Sequence, residues 1–178
     1  MQRMVRILVA LTVVAASSLA LVAGASAAPR TKAASSAALA AQVLGAVNAV
    51  RIQHGLVPLK LSRPLSSAAL QHAQEMAHDG YFAHESKDGS AFWKRVQRYY
   101  GSSGFGLWSV GENLLWSSPD VDAPAAIKMW MESPEHRANL LTPRWREIGL
   151  AAVHEASAPG TFNGLDVTIV AADFGVRK

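Results

Sequence analysis

No cysteine occurs anywhere in these 178 residues. No disulfide can therefore hold the fold, and cohesion has to come from a hydrophobic core. Thiol catalysis, cysteine–metal sites and a lipoprotein anchor are excluded with it. The chain nevertheless opens like an exported protein. Arg3 and Arg6 precede an uncharged apolar run from 7 to 24, and Ala25-Ser26-Ala27 satisfies the small-x-small cleavage rule. Residues 1–27 are read as a secretory signal peptide rather than a membrane anchor. Residues 28–36 are read as a flexible lead-in, and 37–178 as a single domain. About 150 residues are enough for one core. The expected location is extracellular, with no transmembrane anchor left after cleavage.

Loss of Arg3 and Arg6 lowers the formal net charge from +4 to +2. So small a surplus, with no run of five like charges, argues against a nucleic-acid partner.

Hydrophobic spacing predicts helices and then strands. Leu39, Val43, Val47 and Val50 recur at helical intervals over 37–54, with Ser35-Ser36 available as a cap and Gly55 as the stop. Leu65, Ala69, Ala73, Met76 and Ala77 form the stripe of a second helix over 62–80. A third helix over 91–100 places Phe92, Val96 and Tyr99 on one face and turns Lys94, Arg95 and Arg98 outward. Residues 109–117 read as extended. Asp120 or Asp122 caps a fourth helix that buries Ile127, Trp130 and Met131 and ends at Ser133-Pro134. A short helical or turn segment follows through 139–141. Residues 148–153 and 165–174 read as an antiparallel pair joined by a Gly/Pro/Ser-rich loop. Four helices and a few strands without strict alternation give an α+β fold.

Ionisable residues lie beside turn formers in three separate segments. These are Phe82-Ala83-His84, Gly111-Glu112-Asn113 and the stretch from Trp130 to Asn139 that contains Glu135 and His136. Two imidazoles and a carboxylate form a donor set that borderline divalent ions accept, provided the fold brings them together. Singly, each has a plainer reading: Glu112 as a turn-stabilising acid, His84 as a solvent-facing loop residue, His136 as a charge beside a helix end. His54 and His72 read as structural or surface residues. No His-Glu-x-x-His or Gly-x-Ser-x-Gly motif is present, and Ser86 has no visible activating partner. The five tryptophans, with Tyr81 and Phe82, read as core in preference to an apolar groove.

Taken in order, several segments carry a family likeness. They are Val47-Asn48-Ala49-Val50-Arg51, Gly55-Leu56-Val57-Pro58-Leu59, residues 65–77, Phe82-Ala83-His84, Gly111-Glu112-Asn113-Leu114, residues 130–141 and Ile148-Gly149-Leu150. The chain resembles the CAP superfamily of cysteine-rich secretory proteins, venom antigens and pathogenesis-related proteins, and among them the disulfide-free bacterial members. The resemblance spans roughly 43–174. It implies a three-layer α-β-α sandwich with a small, mainly antiparallel sheet. It also implies a cleft where His84, Glu112 and His136 converge and can take zinc or another divalent cation. The family's second glutamate falls at Ser133 here, and Glu135 is the nearest substitute.

The expectation is a secreted, monomeric binding or interaction module for a lipid, glycan or protein ligand. The alternatives are a His/Glu cluster that only supports the fold, and a metal-dependent hydrolase.

Overall fold

The computed structural model describes residues 28–178, with side chains from Ser35 onward; the expected leader at 1–27 lies outside the described residues. Its elements are α1 (Ala28–Gln53), β1 (Lys60–Leu61), α2 (Arg63–Asp79), α3 (Phe92–Tyr99), β2 (Trp108–Ser117), α4 (Ala123–Glu132), α5 (Pro134–Leu140), β3 (Glu147–Glu155), a 3-10 turn (Gly160–Phe162) and β4 (Val167–Arg177). The sheet order is β1-β3-β4-β2. β4 pairs antiparallel with both β2 and β3, and only the two-residue β1 is parallel to its neighbour. The fold is α+β, with helices on both faces of a small, mainly antiparallel sheet.

Side chains alternate across each strand, so one sheet supplies two cores. On one face Val43 and Val47 of α1, Trp130 of α4 and Leu140 of α5 pack with Ile148, Leu150, Val170 and Phe174. On the other, Ala69, Ala73 and Met76 of α2 pack with Leu114, Ala151 and Ala171, continuing into Leu65, Val96 and Tyr100. Gly149 allows α2 to lie directly on the sheet. A Cβ there would come within 2.0 Å of the Leu65 carbonyl carbon.

The α2 stripe is buried as its spacing predicts, and Asp122 caps α4 by accepting from the Ala125 N–H at 2.8 Å. Three readings change. Helix α1 begins at Ala28, so Ser35 and Ser36 lie inside it and do not cap it. Tyr100 is buried where Tyr99 was expected. Arg95 is fully buried and does not point outward. Ser35–Gln53 of α1 is long and apolar enough to cross a membrane, but its Val43 and Val47 are fully buried in the domain core.

Candidate functional site

β2 is an edge strand, and the Gly111-Glu112-Asn113 tripeptide lies on it. Its alternation points Gly111 and Asn113 to one layer and Glu112 to the other. Gly111 leaves room for α5: a Cβ would sit 2.6 Å from Asn139 Oδ1 and 2.9 Å from Trp145 Cζ2. The Asn113 side-chain amide donates to the His136 carbonyl at 3.0 Å, and Asn139 donates to the Glu112 carbonyl at 3.1 Å and to Asn113 Oδ1 at 2.9 Å. These bonds fasten α5 to the strand and with it set the position of His136.

On the opposite layer, Glu112 is buried and both its oxygens are bonded. Oε2 accepts from Arg95 Nη2 at 2.5 Å, and Oε1 accepts from His84 Nδ1 at 2.8 Å. Arg95 Nη1 also donates to Ser86 Oγ at 3.0 Å and to the His84 carbonyl at 3.3 Å. The loop carrying His84 is thus tied to α3. A second tie comes from buried His72 on α2, whose Nε2–H donates to the Ala83 carbonyl at 2.8 Å. Ser86 accepts from a guanidinium, which cannot remove its proton, so no nucleophile is activated here.

His84 and His136 reach each other around the edge of β2, one from each helical layer. Their ring centroids are 6.5 Å apart, and Phe92 lies 6.4 Å from His84 as a neighbouring wall. A carboxylate only accepts, so the His84 proton is on Nδ1 and its Nε2 carries the lone pair. His136 Nδ1 shares a hydrogen bond with Ser133 Oγ at 2.8 Å. Ser133 thereby orients this ring. Neither Nε2 has a hydrogen-bond partner among the described residues. The His84 side chain is 47% exposed.

The two imidazoles titrate in opposite directions. The bond to Glu112 holds the His84 pKa above its ordinary value. Burial, and then the neighbouring His84, hold that of His136 below it. Glu135 is exposed in the first turn of α5 and acts on His136 through its charge.

Asp173 was not singled out from sequence. It stands directly opposite Glu112 in the β2–β4 register, fully buried, and neither oxygen has a hydrogen-bond partner among the described residues. Burial, and then the negative charge of Glu112, push its pKa well above the carboxylate range. Arg95 was missed as well, although position 95 lies three after Phe92 and four before Tyr99, on the face assigned to the interior.

Each Glu112 oxygen already accepts one hydrogen bond, from Arg95 or from His84. Among the described residues, no group of three or more His, Cys, Asp and Glu side chains is arranged to hold a metal ion. The two Nε2 atoms are unpartnered among the described residues, and Glu112 orients His84 from behind.

The family model for CAP, the cysteine-rich secretory protein family, matches residues 44–168. The chain belongs to the CAP family. Among curated relatives, it is 32% identical over 109 residues to the uncharacterized membrane protein YlbC of Bacillus subtilis (strain 168), covering 61% of this chain and 30% of that one. It is also 32% identical over 117 residues to the uncharacterized protein YkwD of the same organism, covering 65% and 43%. The chain thus spans less than half the length of the curated relatives it matches. The fold is similar to that of an extracellular SCP-domain protein of Bacillus anthracis, with a TM-score of 0.64 and 26% identity over 84% of this chain and 44% of that one. An outer surface protein of Borrelia burgdorferi, at 21% identity over 76% of this chain and 90% of that one, shares the fold with a TM-score of 0.58.

Proposed function

We propose that the protein is an exported CAP module that binds a guest over His84 and His136 at the edge of β2. The observation that carries this reading is the pair of imidazoles. They come from opposite layers, are anchored separately by Glu112 and Ser133, and lie 6.5 Å apart with both Nε2 atoms unpartnered among the described residues. Such a pair suits a divalent cation whose remaining positions are filled by water or by a ligand's oxygen atoms. Zinc is the simplest probe. The names of relatives as extracellular, outer-surface and membrane proteins support an extracytoplasmic location, as does the leader-like start.

The fixed Arg95–Glu112–His84 chain favours binding over turnover. It positions an imidazole but supplies no nucleophile. The test is calorimetric titration of zinc into the parent, His84→Ala and His136→Ala proteins. The parent is expected to take up about one equivalent, and each variant to lose that uptake with its melting temperature little changed. A parent that takes up no zinc, alongside variants that melt well below it, assigns the cluster to fold support and overturns the proposal.

A further inference from the structure

The sheet has a second open edge, away from the imidazole pair. β1 covers β3 only at Glu147 and Ile148, flanked by the Lys60 N–H donating to the Arg146 carbonyl at 3.0 Å and the Ser62 N–H donating to the Ile148 carbonyl at 2.8 Å. The chain then turns into α2 at Arg63 and vacates that lane. The next outward amide, the Leu150 N–H, is met by Ser66 Oγ at 3.2 Å instead of by a strand. Alternate residues of a strand turn their N–H and C=O to the same side. The amides and carbonyls of Ala152 and His154 therefore face outward too, and none of them is bonded to another strand among the described residues.

Residues 150–154 form the floor of a groove of about 840 Å³. One wall is α1, at Ala37 and Ala40; the other is α2, at Ser66, Ser67 and Leu70. Small residues keep the walls apart, and the groove lies end to end with β1.

Its charge is one-sided. Arg63 is exposed, lines the groove and has no ion-pair partner among the described residues, and no acidic residue lines it. Arg63 opens α2, a helix with no acid in its first turn and no side-chain cap from Ser62. Helix dipole and guanidinium therefore add at the same end.

We propose that this groove captures an extended peptide segment, added as a strand to β3, with an acidic group of the peptide at the Arg63 end. A lipid tail could fill the volume, but it has no repeating donors and acceptors to match the strand edge. A peptide backbone has them at the right spacing. The acid pairs with Arg63, and the apolar side chains lie against Ala37, Ala40 and Leu70.

The test is selection of short peptides from a phage-displayed random library on the full chain, followed by fluorescence anisotropy with the enriched peptides. Recovered peptides are expected to alternate apolar and polar residues and to carry an acid toward one end. Two exposed positions, chosen to leave folding intact, provide the controls: Ala37→Trp fills the groove and Arg63→Glu reverses its charge. Each should weaken binding about tenfold or more, and methylating alternate peptide amides should abolish it. The proposal is overturned if nothing is enriched, if enriched peptides bind both variants as they bind the parent, or if amide methylation has no effect. It is equally overturned if a fluorescent fatty acid occupies the groove, is lost from Ala37→Trp, and competes with every enriched peptide.

Discussion

Glu112 and Asp173 face each other on neighbouring strands, both buried, and Arg95 donates to the first of them. Two carboxylates this close in a dry interior do not both ionise against one guanidinium. Burial first, and then the neighbouring Glu112, raise the pKa of Asp173. A carboxyl whose folded pKa is raised is favourable at low pH, and that contribution is lost as pH rises through the folded value. At neutral pH Asp173 therefore costs stability. Asp173→Asn is expected to raise the melting temperature at pH 7 by roughly 2–4 °C. A scanning calorimetry trace showing a lower melting temperature would mean that Asp173 carries a needed negative charge. None of this was legible in the strand pattern, which does not say what covers the face that carries Asp173. What buries it is the second helical layer.

At the scale of elements, the sheet edge and α5 are joined through one missing side chain. Gly111 has Asn139 and Trp145 pressed against the position a Cβ would take. Gly111→Ala must displace the Asn139 and Trp145 side chains, which weakens the Asn139 bonds to Glu112 and Asn113 that fasten α5 to the strand. A cost of about 2 kcal/mol is expected, measured as a shift in urea unfolding midpoint with an unchanged slope. An alanine accepted without loss would mean that α5 is held more loosely than its hydrogen bonds imply. Element identity was readable here, since Ser133-Pro134 ends one helix and leads into the next, and Asp122 caps the first. The two-residue β1 was not readable, because a parallel bridge of that length leaves no periodic signal. The burial of Arg95 was readable in principle: helical spacing puts it beside Phe92 and Tyr99, on the face assigned to the interior, and position rather than charge decides its burial.

At the scale of the whole molecule, the imidazoles make stability depend on pH in opposing senses. His72 is buried against the Ala83 carbonyl, and desolvation holds its pKa below 6.5; His136 is lowered in the same way. A base with a lowered folded pKa binds fewer protons folded than unfolded, so stability falls as pH drops below 6.5. His84, raised by Glu112, works the other way. Its contribution is present below 6.5 and fades as pH rises through its folded value. His72→Gln keeps a donor for Ala83 and removes the titration. Its melting temperature is expected to fall less than the parent's between pH 6.5 and 5. Parallel curves for the two proteins would show that His72 is not the acid-sensitive group.

By itself the sequence determined the helical stripes, the antiparallel pair, the absence of any covalent staple and the three segments that carry the site. Those properties follow from local periodicity and residue chemistry, which neighbours along the chain already specify. Only the tertiary structure decided that Glu112 is bound to Arg95, that Ser133 orients His136, that Asp173 lies beneath the pair, and that β3 keeps an open edge in a groove. Each of these depends on which residues from distant segments share one face of the sheet. That is set by strand order and register, and neither is written in the spacing of any single segment.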